Sequence, residues 1–269
     1  VIRSLAAVLF AFFALLANAA PAVVHTNGDA HSRVLAKILF SDAPVLASPG
    51  ADGLLVWKKL DGNKTDVAIQ PALAVHFLPT LHAQEDFASK HELLATIASA
   101  PQALVVRPDF LAQSMQDLKR LGRPLTVGWI GHACKALVAE AFAKNNIEFI
   151  YVAYKTPQEA TSAMLGGHLD ALCPAAVSLR QMVQNKTGKV LLDITGHHGF
   201  MLTTSLFVSQ DMPEATKKTI LQQLTRTLTV EDISVAEANG FTLNVRTGKD
   251  ALETFTKDRR IWQRITQLN

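Results

Sequence analysis

Apolar and polar positions along this chain repeat with two periods that take turns. Leu125 to Ile130 is a short apolar run that stops at Gly131, the length of a buried strand. From Lys135 to Lys144 the period changes, and Leu137, Val138, Ala141 and Phe142 fall on one helical face that ends at Asn145-Asn146. Ile147 to Tyr154 is rich in β-branched and aromatic residues and reads as a second strand. Thr156-Pro157-Gln158-Glu159 then opens a helix, with Thr as cap, Pro at the first helical position and Glu placed to reach back. Gly166-Gly167 closes it, and Leu169 to Cys173 is a third strand. Strands joined by helices of this length predict a parallel sheet with helices on its faces.

The plan occurs twice. Ala22 to Thr26, Pro44 to Ala47 and Asp66 to Ile69 predict three strands. Helices at Val34 to Leu39 and Leu54 to Leu60 separate them. Ala103 to Val106 predicts a crossing to a second lobe, and Thr203 to Ser209 a crossing back. A helix capped by Ser114, helices at Val177 to Val183, Pro213 to Thr227 and Asp250 to Ile265, and a strand at Lys189 to Ile194 complete the pattern. The expected organisation is a signal peptide over 1–19, a discontinuous first lobe over 20–108 and 206–269, and a second lobe over 109–205. The signal peptide rests on Leu5 to Leu16, almost wholly apolar, followed by Ala17-Asn18-Ala19, a small-x-small cleavage pattern. It predicts export to the periplasm.

Composition changes little in this picture. Nearly half of the residues are hydrophobic, enough for a substantial core, and a net charge of +3 without a basic stripe gives no nucleic-acid footprint. Cys134 and Cys173 follow the first and third strands of the central unit, so a disulfide and two separate buried thiols are both open. No zinc spacing, phosphate loop or Gly-x-Ser-x-Gly elbow occurs, and no cofactor is expected.

Tyr154-Lys155, a ten-residue helix and Leu165-Gly166-Gly167-His168-Leu169-Asp170 resemble a block of the substrate-binding proteins of tripartite tricarboxylate transporters. That resemblance implies a type II periplasmic-binding-protein fold. In it two α/β lobes, each a mainly parallel sheet with helices on both faces, close on a small organic acid and present it to a membrane permease or sensor. A monomer without catalytic activity is expected. The sequence departs from the family in its turns. Asn27-Gly28-Asp29-Ala30 stands where proline-glycine-glycine is usual, Gly131-His132-Ala133-Cys134 has no serine, and Cys173-Pro174 replaces aspartate-asparagine. These departures keep open a sensing or degenerate receptor acting through a protein partner.

Ligands of open α/β sheets sit beyond the carboxyl ends of the strands. That rule selects Asn27, Gly28, Asp29 and Ala30, then Gln70 and Pro71, then Gly131, His132, Ala133 and Cys134, and finally Pro174 and Ala175. Helix N-termini in such turns favour carboxylates. Asp29 can equally be a helix cap, Arg33 a solvated side chain, Lys155 helix-end structure, and Gln70 a strand-end residue needing an internal partner. An enzyme reading would use Cys134 as nucleophile with His132 as base, but residues two apart in one turn reach each other poorly and no orienting acid is evident.

Overall fold

The computed structural model describes residues 21–49, 53–77, 87–129, 132–226 and 228–266. The expected signal peptide and the turn residue Gly131 lie outside them. Strands β1 (Val24–Thr26), β2 (Val45–Ala47), β3 (Val67–Pro71), β4 (His91–Ala100), β10 (Leu202–Ser209) and β11 (Thr242–Thr247) form one sheet in the order β11-β4-β10-β3-β1-β2. Strands β5 (Ala103–Val106), β6 (Leu125–Trp129), β7 (Phe149–Ala153), β8 (Ala171–Cys173) and β9 (Lys189–Asp193) form the other, in the order β7-β6-β8-β5-β9. β2, β1 and β3 are parallel, as are β7, β6 and β8, whereas β10 and β5 run antiparallel to both of their neighbours.

Helices cover the sheets. α1 (Ala30–Leu39) and α2 (Leu54–Leu60) follow the first two strands of the first lobe. The second lobe carries α3 (Met115–Arg120), α4 (His132–Ala143), α5 (Pro157–Leu165), α6 (Ala176–Gln184) and α7 (Ile194–His198). α8 (Glu214–Leu224), α9 (Val230–Ala238) and α10 (Gly248–Thr266) end the chain. Where capping residues were read from the sequence they bond as expected: Asp29 accepts from Ser32 N, Ser114 from Asp117 N and Thr156 from Glu159 N.

Three features differ from the pattern-based expectation. Ala103–Val106, read as the crossing itself, pairs with β8 and β9 in the second sheet, so the chain crosses at Pro101-Gln102, and Thr203 to Ser209, read as the crossing back, pairs with β3 and β4 inside the first sheet, so the return is complete before Leu202. β4 is a central strand that the hydrophobic pattern does not announce, because Ala95, Thr96, Ala98, Ser99 and Ala100 fill both of its buried faces with small side chains. α10, expected on the first lobe, spans both. Its Phe255 packs with Trp57, Ala68 and Phe207 of the first lobe, while Trp262 and Ile265 join the core of the second with Leu137, Phe142 and Phe200.

The block that carries the family resemblance is structural. Asp170 accepts two bonds from the Arg123 guanidinium, each 2.7 Å, and further bonds from Thr126 N at 2.8 Å and Thr126 Oγ1 at 3.0 Å, tying the start of β6 to the start of β8. Gly167 has φ +80°, a conformation that strains any side chain, and a Cβ there would also displace the Arg107 guanidinium, 2.5 Å away. Burial pushes the Asp170 carboxyl up, but the Arg123 and Thr126 donors outweigh it and hold the group below its ordinary value. Such a group adds stability that is fully present above the unfolded carboxylate range, about pH 3.9, and is lost as pH falls through the folded value. Asp170→Ala is expected to cost roughly 2–3 kcal/mol at pH 7 in urea unfolding and to flatten the loss of stability below about pH 4.

Asp258 on α10 behaves in the opposite sense. It is 3% exposed and accepts a short hydrogen bond from Thr203 Oγ1 of β10. Burial pushes its carboxyl up to about 6, against the pull of the Thr203 bond and of Lys257 and Arg246. Its folded value stands above the unfolded one, so its contribution is complete below about pH 4 and is lost as pH rises through about 6. Asp258→Asn is expected to raise stability at pH 7.5 by about 2 kcal/mol, and to leave it unchanged at pH 4, when urea midpoints are compared.

Candidate functional site

The carboxyl ends of β1, β3, β6 and β8 converge on the line where the lobes meet, and the helices that follow them point their N-termini at it. A cavity of about 300 Å³ opens there, lined from the first lobe by Asn27, Asp29, Pro71, Ala72 and Leu202. Cys134, Pro157, Thr161, Leu172, Cys173, Pro174, Ala175 and Ser178 line it from the second, Gln102 from the crossing and Trp262 from α10. A second chamber of about 220 Å³ adjoins it and shares Asp29, Pro71, Gln102, Ala175 and Leu202. Its own wall includes Ala30, His31, Val177, Thr203, Thr204 and Asn239.

Four constraints shape this cleft. Cys134 at the start of α4 is bonded to Cys173 at the end of β8, with Cα atoms 6.4 Å apart, and both line the larger chamber. Gln102 Nε2 donates to Pro174 O at 2.7 Å and lies 3.1 Å from Cys173 Sγ, so the crossing grips the turn after β8. Its backbone carbonyl accepts from Ile194 N and Thr195 N, which ties the same crossing to α7. On the first-lobe side the Asp29 carboxylate accepts from Ser32 N at 2.8 Å and Ser32 Oγ at 2.6 Å. The lobes also touch directly: a Cβ on Gly240, between α9 and β11, would lie 2.5 Å from Ala176 O at the start of α6.

The cleft offers hydrogen-bond donors that are not used internally. α6 begins at Ala175 with no side-chain cap, unlike α1, α3, α5 and α9, so its first N–H groups face the chambers without one. Trp262 is fully buried in the cavity wall, and its indole N–H has no acceptor among the described residues. A buried donor without a partner is costly, and a ligand acceptor would satisfy it. His31 stacks on Phe241 at 4.2 Å and meets Thr204 Oγ1 at 3.3 Å. Its burial, opposed by Asp29, lowers its pKa and favours the neutral ring.

Of the residues selected from the sequence, Asn27, Asp29, Pro71, Cys134, Pro174 and Ala175 line the larger chamber and Ala30 the smaller. Gly28 lines neither chamber, and a Cβ on it would meet Ala47 and Pro49. Gln70 does not line the cleft: it is fully buried and its Nε2 donates to Gly53 O at 2.9 Å, the internal partner that a polar strand end requires. Gly131 and the side chains of His132 and Ala133 lie outside the described residues. Arg33 and Lys155 are exposed and line neither chamber. His198 is buried between Leu137 O at 3.1 Å and Glu140 Oε2 at 3.4 Å. Sequence reasoning missed Gln102, Thr161, Ser178 and Trp262. Gln102 follows Pro101 at a strand end and could have been found by the same rule, but nothing local marks Trp262, which arrives from the far end of the chain.

A wider groove of about 690 Å³ lies between α7, β11 and α10. Its charged lining comprises the exposed Asp193, Arg246, Asp250, Glu253 and Lys257 and the buried Asp258.

Residues 46–198, more than half of the chain, match the sequence model of the tripartite tricarboxylate transporter family receptor. No curated protein matches the sequence. Among solved structures the chain is similar to a TctC solute binding protein from Polaromonas, with 14% identity, a TM-score of 0.70 and 92% of this chain and 98% of that one covered. It is similar to MatC from Rhodopseudomonas palustris with bound malate, at 15% identity and a TM-score of 0.69, covering 91% and 98%. A third, from R. palustris with adipate, has 11% identity and a TM-score of 0.72, covering 91% and 96%. At these identities the structures share a fold with the chain.

The 39-residue separation of Cys134 and Cys173 makes their bond a sizeable constraint on the unfolded chain, about 4 kcal/mol by loop-closure entropy. Replacing both cysteines with serine is expected to lower the urea midpoint accordingly, and thiol reductant is expected to lower that of the native protein but not of the double variant.

Proposed function

The chain belongs to the tripartite tricarboxylate transporter receptor family, and from that membership we propose that it captures a small organic anion, a carboxylate, between its lobes and delivers it to a membrane transporter. The observation that carries this reading is the cleft itself: a chamber of small-molecule size, walled by Trp262 and bordered by the uncapped start of α6. Backbone N–H groups at a helix start suit a carboxylate. The relatives crystallised with malate and adipate agree with that class.

In this reading the lobes divide near Pro101-Gln102 and again between α7 and β10, and hinge closure about those crossings brings Asn27, Asp29 and Pro71 against Cys134, Pro174, Ala175, Thr161 and Ser178 around the ligand. Affinity is greater in the closed form because only that form contacts the ligand from both lobes. The protein is a periplasmic monomer released by signal-peptide cleavage, and its partner is a permease. It carries out no covalent chemistry. Bonding of Cys134 to Cys173 supports this, since it leaves no thiolate for the nucleophilic alternative.

The test is thermal shift on the mature protein against a panel of carboxylates, amino acids and sulfonates. A ligand present at a hundredfold its Kd is expected to add about 2.7 kcal/mol of stability. Trp262→Phe, which keeps an aromatic ring in the core and removes the N–H, is expected to weaken the best ligand about tenfold, the worth of one hydrogen bond to a charged group. A panel without a single hit would refute the carboxylate reading and favour a receptor that acts through a protein partner.

A further inference from the structure

Resting on the carboxylate reading above, we infer that this cleft selects carboxylates with a single negative charge and an apolar body, and discriminates against di- and tricarboxylates. The argument begins with charge. Among the described residues no Lys or Arg lines either chamber, and the internal stretches 50–52, 78–86 and 130–131 contain no Lys or Arg in their sequence. The one charged side chain in the described lining is a carboxylate, Asp29, and it borders both chambers. The single imidazole in the described lining, His31, is held neutral by its burial.

One ligand carboxylate can be accommodated. The start of α6 borders both chambers, and its N–H groups and positive dipole end lie there uncapped. The partial positive charge at the start of α1 offsets Asp29, which caps it. A second carboxylate has no positive counterpart among the described residues. Wherever it goes, in either chamber, it meets the Asp29 carboxylate in a cleft partly closed to water, where like charges repel far more strongly than in bulk solvent.

The remainder of the larger chamber matches a body without charge. Leu172, Leu202, Pro71, Ala72, Pro174, Trp262 and the disulfide supply apolar wall. Asn27, Thr161 and Ser178 are its uncharged polar groups, with Gln102 already bonded to Pro174. Such a lining rewards apolar surface taken from water and leaves an additional ionised group without a hydrogen-bonding partner.

The experiment is calorimetric titration of the mature protein with matched pairs: hexanoate against adipate, and benzoate against terephthalate. The first member of each pair is expected to bind at least about tenfold tighter, as like-charge repulsion in a partly desolvated site requires. Asp29→Asn is then titrated with both pairs. Asparagine also caps helices, so the start of α1 is retained while the charge is removed. The ratio between mono- and dicarboxylate is expected to shrink by about tenfold in that variant. Tighter binding of adipate or terephthalate to the native protein would overturn the inference while leaving the carboxylate reading intact. An unchanged ratio in Asp29→Asn, with the variant folded by circular dichroism, would also overturn it. Absence of binding by every member of both pairs, together with a flat thermal-shift panel, would remove the carboxylate reading itself.

Discussion

The packing of one helix against two lobes underlies the rest of the structure. α10 is laid along the first sheet by Ala251 and Phe255, yet its last turns place Trp262 and Ile265 in the core of the second lobe. Trp262 stands 5.6 Å from Phe77 on one side and 6.0 Å from Phe200 on the other, as ring centroids, so aromatic edges from both lobes meet on a single indole. The same indole is part of the cavity wall. Shape at the binding surface and cohesion between the lobes therefore depend on one side chain, and each constrains how the other can vary.

Opposite this helix the cleft is held by bonds rather than by packing. The disulfide joins the start of α4 to the end of β8, Gln102 fastens the crossing to Pro174, and Asp170 with Arg123 and Thr126 fixes β6 against β8 from the other end of the strands. A cysteine pair and a proline occupy positions where the family places serine and aspartate-asparagine, and the resulting wall is more apolar and carries no cation among the described residues. What the departures alter is the chemistry of the surface, while the strand order beneath it is kept.

Local signals in the sequence were readable wherever the chain speaks to its near neighbours. The caps at Asp29, Ser114 and Thr156, the periodicity of α4 and the paired glycines after α5 all act within a few residues, and each element stands where they place it. β4 was not readable, because a strand buried on both faces with Ala, Ser and Thr shows neither alternation nor a strong apolar run. Ala103–Val106 was legible as a strand but not as to its sheet, since pairing partners lie 65 or more positions away in β8 and β9. At the site, Asn27, Asp29, Pro71 and Pro174 follow from the rule about strand ends, and Gln70 fails it because the side chain of a strand-end residue can turn to either face. Trp262 could not be found that way, because its place depends on where the last helix of the chain docks.

The contact between Gly240 and the start of α6 bears on evolution. The two lobes meet there backbone to backbone, with no room for a methyl group between Gly240 and Ala176 O. A side chain at position 240 would act as a doorstop, holding the lobes apart by a fraction of an ångström multiplied along the cleft. The capacity of the chamber is therefore governed in part by an atom that is missing beside its wall, and a lineage could enlarge its ligand by one substitution whose own side chain presses only on the back of the lining.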